Sequence, residues 1–424
     1  MSNNLTSNWS RKVMPVFMKH FQASRVILNT VDTQLFEGKF MPSSGNIIDV
    51  KRPHKYKMIS TTGGDISAQT KSDITSGKAS ATVQNYITGA TEWSNLEEAI
   101  YMDQLDKILA PMAREMCTDL ELRMAAYMAQ NAALSVGIPG TAIDAWSDIA
   151  NQSSLMNAIG VPTDADWHSV VGPYVQQGLA SVQNGLSPAN GSLVETAWEK
   201  ALISKNFAGM RVSMSNCLPS RTNGTSADRV GALTGAPTAT YVAAKDTMTQ
   251  VWAVTGFSNG ATLVPGDIIE VTGRYLISQG SRQVIFDAAG AQVKFRATVT
   301  EAVTLGASGE GNVTVTGAAI YEAAPGAYNT VSSALTTSDV VTVLGASAAV
   351  VQPALFYHPQ AFALATVKLP KLYSTDTVAI TEDGFSIRVS RYADGDANSQ
   401  NVRFDLLPAF GTLNPFFAGQ GFGT

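Results

Sequence analysis

Residues 293–300, Val-Lys-Phe-Arg-Ala-Thr-Val-Thr, alternate apolar and polar side chains without a break, and Asn312–Thr316 repeats the pattern. Period-two alternation over this length demands half-buried antiparallel strands. Both stretches lie in a segment, about Arg221 to Ala349, in which Thr, Val, Ala and Gly dominate and charges thin out. Pro265-Gly266-Asp267 supplies turn chemistry ahead of the run Ile268-Ile269-Glu270-Val271. The segment reads as a separate small barrel or sandwich. Tyr357–Ala365 and Gly384–Leu407 return to mixed character, so the segment reads as an insertion into a host domain.

The host has a different texture. Leu105, Ile108, Leu109, Met112, Met116, Leu120, Met124 and Met128 recur at steps of three and four, which is one face of a helix. Asp106, Lys107, Arg114, Glu115, Asp119 and Arg123 occupy much of the opposite face. About 25 such residues make a rod near 37 Å long, which Pro111 either kinks or divides. Further helices are expected over Ile143–Met156, Trp167–Gln183 and Leu193–Ile203, giving a mixed α+β body. Near the start, Val13, Val16, Phe17 and Phe21 stand at near-helical spacing.

Between Asp32 and Thr91 the chain reads as short strands and turns. Ile47, Ile48 and Val50 lead into Lys51-Arg52-Pro53-His54-Lys55-Tyr56-Lys57. A polar, Gly-rich stretch follows, Ser60 to Ser80, with almost no large apolar residue after Ile74. About twenty polar residues between strands is long for a compact domain and marks a functional excursion, read here as a long two-stranded arm. The basic run suits a strand with one solvated face, or cations that meet carboxylates of another subunit.

Composition narrows the function. Of 424 residues 45% are hydrophobic and only 15% charged, against roughly 25% charged in an average soluble domain. The net charge of −5 lacks the basic footprint of tight, salt-sensitive nucleic-acid binding. Nothing in the sequence is long and apolar enough to span a bilayer, and Val13–Met18, between Arg11-Lys12 and Lys19-His20, is too short for a signal peptide. Cys117 and Cys217 make neither a disulfide framework nor a zinc site, so a reducing cytoplasm is expected. No Walker A loop, G-x-S-x-G elbow, H-E-x-x-H or C-x-x-C occurs. His20, His54, His168 and His358 are scattered without metal-ligand spacing, and no carboxylate pair stands out. No catalytic residue, cofactor or metal is expected. Asp394, Asp396, Asn398 and Asp405 fall at positions 1, 3, 5 and 12 of a calcium-loop pattern, but Ser399 replaces the glycine and no helices flank it; a turn entering the strand Val402–Leu407 is the plainer reading.

Several runs together carry a resemblance. Lys51-Arg52-Pro53-His54 precedes Gly64-Asp65-Ile66-Ser67, and Leu96-Glu97-Glu98-Ala99-Ile100 runs on to Ile108-Leu109-Ala110-Pro111. Ser215-Asn216 stands just before the insert, and Tyr392-Ala393-Asp394-Gly395-Asp396-Ala397-Asn398 with Arg403-Phe404-Asp405-Leu406-Leu407-Pro408 lies near the end. In these the chain resembles the major capsid (coat) proteins of short-tailed double-stranded DNA bacteriophages of the Salmonella and Shigella type, in order over nearly its whole length.

The resemblance implies the tailed-phage and herpesvirus capsid fold with an inserted antiparallel β-barrel. The parts would be an amino-terminal arm (1–34), an extended loop with peripheral-domain strands (35–92), a spine helix (93–132), the first part of an axial domain (133–220), the barrel (221–349) and a return through both domains (350–424). Function would be structural. Copies would form pentamers and hexamers of an icosahedral shell, assembled in the bacterial host cytoplasm around a separate scaffolding protein. The shell would carry a portal protein, expand as double-stranded DNA is packaged without sequence-specific binding, and involve no membrane. No maturation cleavage and no Lys–Asn crosslink is expected. Lys51, Arg52, Lys55 and Lys57 at the base of the arm, and Lys245-Asp246 in the charge-poor insert, are the expected intersubunit contacts. The competing reading is an extracellular carbohydrate-active enzyme or adhesin with an appended β-domain, supported by Thr-rich strands and aromatic residues such as Trp252.

Overall fold

The computed structural model describes residues 17–21, 25–32, 47–94, 105–183, 202–324, 326–372, 377–380, 385–394 and 399–424. Val13, Val16, the run from Leu96 to Ile100, most of the expected helix Leu193–Ile203 and the acidic turn 395–398 lie outside the described residues. The chain divides into two units.

The first unit takes the residues up to Ile48, Ala81–Ala125 and Phe362–Gly411. Its sheet is antiparallel, in the order Thr377–Ile380, Ser386–Asp394, Ser399–Leu406, Ile87–Ser94. Helix α1, Leu105–Asn131, is 27 residues long with Pro111 inside it, about 40 Å at 1.5 Å per residue. Of the stripe read from the sequence, Leu109, Met116, Leu120 and Met124 are almost wholly inaccessible, with Ala113 and Cys117 between them, while Met112 is half-buried. Residues 17–21 form a helical turn. Phe17 stacks on Phe404 with ring centroids 4.2 Å apart, and Phe21 meets Phe385 edge-on at 5.7 Å.

The second unit takes Asp49–Ser80, Ala126–Ala361 and Thr412–Thr424. A six-stranded mixed sheet runs Leu134–Val136, Ala418–Gly421, Ala354–Tyr357, Trp167–Val171, Met210–Met214, Leu202–Phe207. Helix α2, Trp146–Ile159, buries Ile149, Gln152, Met156 and Ile159 and ends at Gly160, whose φ of 88° is left-handed and suits glycine. Helix α3 spans Pro173–Gln183. The expected helix Trp167–Gln183 is therefore split. Trp-His-Ser-Val-Val is aromatic and β-branched and is buried throughout as a strand, and Gly172-Pro173 then restarts the chain with proline at the first helical position. Likewise Leu202 and Ile203 open a strand rather than close a helix.

The insert is a closed antiparallel barrel. Its strands are β1 (Val230–Leu233), β2 (Thr249–Thr255), β3 (Ile268–Tyr275), β4 (Lys294–Val299), β5 (Gly311–Thr316) and β6 (Val340–Val343). The order around it is β2-β5-β4-β3-β6-β1, closing on β2. Every second residue points inward: Trp252, Val254, Ile269, Val271, Phe295, Ala297, Val299, Val313, Val315, Val341 and Val343 are all at most 2% exposed. The chain enters and leaves side by side, Arg221 opposite Val351 and Thr222 opposite Val350.

Candidate assembly surface

Residues 52–77 form an excursion without strand structure, closed at its base where the Arg52 N–H donates to the Gly77 carbonyl at 2.9 Å. A two-stranded arm does not form there, because a run rich in Gly, Ser, Asp and Thr offers no apolar alternation for a ladder. Side-chain bonds shape the path instead. The Ser67 N–H donates to Asp65 Oδ1 at 2.9 Å, which holds the Asp65 carboxyl below its ordinary range. The Lys57 N–H donates to Ser72 Oγ at 3.0 Å, joining the two legs. Met58 and Ile74 stand 83% and 75% exposed, with Tyr56 and Ile66 also in solvent. These four apolar side chains are thus carried on a segment with no core of its own to bury them.

The expected contact residues divide. Lys51 and Lys57 are exposed. Arg52 is buried and directs its guanidinium to the carbonyls of Lys78 (Nε, 3.2 Å), Leu413 (Nη1) and Thr412 (Nη2, 3.5 Å), and burial lowers its pKa. Lys55 Nζ donates to Gln279 Oε1, and its N–H donates to Tyr328 Oη at 3.1 Å. Burial first, and the Arg282 charge second, push its ammonium down to about 8. Lys245 Nζ donates to the Ser76 carbonyl at 3.2 Å and lies 3.4 Å from Asp246 Oδ2. Asp246 Oδ1 accepts the Lys78 N–H at 3.2 Å. Lys55, Lys245 and Asp246 are thus gathered at the foot of one excursion, while Lys51 and Lys57 face solvent. The partners Gln279 and Tyr328 carry no signal in the sequence, since they lie 224 and 273 residues away along the chain.

Other candidates resolve into structure. Asp405, twelfth in the calcium pattern, is fully buried and is engaged by Arg388 at 2.6 Å, Arg403 at 2.6 Å and Thr88 at 2.7 Å. Burial alone would raise its pKa, but these hydrogen bonds hold it below the usual range. Among the described residues no group of three or more His, Cys, Asp or Glu could hold a metal ion. His358 Nε2 lies 3.0 Å from Asp164 Oδ1 while its Nδ1 accepts the Gln360 N–H, so Nε2 carries the proton. A cavity of about 590 Å³ is bordered by Glu270, Lys294 and Arg296, where the Glu270 carboxylate is paired with Lys294 at 2.7 Å and Arg296 at 3.0 Å. Trp252 is wholly inside the barrel, its Nε1 donating to Gln250 Oε1 at 2.8 Å, so it cannot stack on a sugar.

The family model described as P22 coat protein, gene protein 5, matches residues 1–423. A major capsid protein of Acyrthosiphon pisum secondary endosymbiont phage 1 is 42% identical over 427 residues, covering 100% of both chains. The chain belongs to the P22 coat protein family. Among solved structures, a chain of Mycobacterium phage Che8 aligns over 93% of this chain and 90% of its own, at 13% identity and a TM-score of 0.41. The capsid structure of cyanophage P-SCSP1u aligns over 90% and 84%, at 10% identity and a TM-score of 0.41. The role of the chain is structural: copies of it build the phage capsid. No helix among the described residues is long and apolar enough to cross a membrane.

Proposed function

We propose that the capsid is an icosahedral shell of pentamers and hexamers, assembled in the host cytoplasm around a separate scaffolding protein, fitted with a portal, and expanded as double-stranded DNA is packaged. The observation that carries the contact reading is the excursion 52–77, with Met58 and Ile74 exposed at 83% and 75%. In a shell it would overlap a neighbouring copy and bury these side chains. Lys51 and Lys57, both exposed, would meet a neighbour's carboxylates. The net charge of −5 would let packaged DNA slide along the lining without adhering.

Electron microscopy and sedimentation velocity of the protein, alone and with a candidate scaffolding protein, test the proposal. Closed shells that form or become uniform only with scaffold are expected. Uniform shells from the chain alone would remove the scaffold from the scheme. A stable monomer in both samples would overturn it.

A further inference from the structure

The foot of the excursion is held from both sides by the inserted segment. On the first leg, the Lys55 N–H donates to Tyr328 Oη at 3.1 Å and Lys55 Nζ to Gln279 Oε1. On the second, Lys245 Nζ donates to the Ser76 carbonyl at 3.2 Å and Asp246 Oδ1 accepts the Lys78 N–H at 3.2 Å. Between these points Gly77 is buried at a place where no side chain fits. A Cβ there would stand 2.6 Å from the Lys245 carbonyl oxygen and 2.9 Å from Tyr241 Oη. Tyr241 stacks on Tyr328 with ring centroids 3.6 Å apart and planes within 4°. The group that holds one leg is therefore packed against the group that borders the other. The Arg52 N–H to Gly77 carbonyl bond ties the legs together inside this grip.

We infer that the inserted segment grips both legs of the excursion and fixes the direction in which it leaves the subunit before any neighbour is met, with Tyr241, Tyr328, Gly77 and Asp246 as the positioning residues. This deepens the overlap reading above and rests on it. Each leg of about twelve residues reaches at most about 40 Å, so a 10° error at the foot displaces the tip by about 7 Å. That is more than a side-chain contact tolerates. Holding the foot removes this freedom from the free subunit, and preorganisation of this kind lowers the ordering cost of each contact. Asp246 acts here as an acceptor for a backbone N–H, a task an asparagine oxygen performs equally well. Contact with a cation on a neighbouring copy would instead require the charge.

Amide hydrogen exchange of the unassembled full-length chain, with electron microscopy of the assembled product, separates these roles. Asp246→Ala and Gly77→Ala are expected to speed exchange at the Lys78 amide at least tenfold, and Tyr328→Phe to do so at Lys55, with misshapen or open shells as the product. Asp246→Asn is expected to keep wild-type exchange and to form normal shells. Should Gly77→Ala fail to fold, Tyr328→Phe, which removes one hydroxyl, carries the same test. Unchanged exchange in the folded Ala and Phe variants would overturn the grip. An Asp246→Asn chain that exchanges normally but cannot close shells would overturn it in favour of a charge contact between copies. Replacing residues 58–74 by a flexible Gly-Ser linker tests the overlap reading separately: normal shells from that chain would sink the overlap, while the exchange results still decide whether the foot is held.

Discussion

Glu121 is 2% exposed on the buried side of α1, and its Oε1 accepts the backbone N–H groups of Val26, Ile27 at 2.8 Å and Leu28 at 3.4 Å. Glu121→Ala strands those donors and should cost about 2–3 kcal/mol in urea unfolding of the free subunit, whereas Glu121→Gln, which keeps an acceptor oxygen, should recover most of it. His168, 7% exposed, is pushed down to about 4, by burial first and by the Arg211 charge second. The unfolded chain takes its proton near 6.5, so the stability from keeping the ring neutral is complete above pH 6.5 and lost as pH falls toward 4. About 3 kcal/mol should disappear over that window. His168→Gln should flatten the slope when urea midpoints are compared at pH 7.5 and 5; an unchanged slope would assign the titration elsewhere. Neither residue announces itself in the sequence. Glu121 meets partners 95 positions away, and Arg52, one of a run of cations, is buried because three carbonyls brought from elsewhere in the fold receive its donors. Local charge pattern reads solvation, and it misleads where distant backbone replaces water.

Elements were legible where one face meets a core and the other meets solvent. The alternation of β4 and β5 returns as buried positions, and so does the α1 stripe at Leu109, Met116, Leu120, Met124 and Met128, with Met112 half-buried. Thr298 breaks the barrel rule. Its place in the alternation is outward, yet it is buried and donates to the Ala132 carbonyl at 2.7 Å, because the outer face of β4 is itself covered there. Trp167–Val171 was illegible for a related reason: a strand buried on both faces loses its period and reads like part of a helix. In the antiparallel sheet of the first unit, Arg388 and Asp405 stand directly opposite each other, 6% and 0% exposed. Asp405→Ala should destabilise the subunit by about 3–5 kcal/mol, since it leaves the Arg388 cation buried without its partner. Arg388→Met with Asp405→Leu together should recover much of that loss in the same denaturation experiment, because burying the pair carries its own desolvation cost. A double variant as unstable as the single would show that the sheet needs the pair itself.

At the scale of the whole molecule, small contact energies matter because a closed shell repeats them at every copy. Lys51→Glu with Lys57→Glu should leave the unfolding free energy of the free subunit in urea within about 0.5 kcal/mol of wild type, as exposed substitutions do. The same pair should raise the subunit concentration at which shells appear in light scattering by about tenfold, and added salt should narrow the gap by screening. Equal thresholds for the two proteins would remove these lysines from the interface. The adjoining strand pair at the mouth of the barrel has a further consequence. With Arg221 opposite Val351, the whole of 223–349 departs from and returns to neighbouring strands about 5 Å apart. Topologically the host treats it as one outsized hairpin turn. The junction is therefore a point where a further domain whose own termini lie together could be added without unpairing the host strands, provided that the insert keeps its bonds to the excursion, and such an addition would be carried once by every copy in the particle.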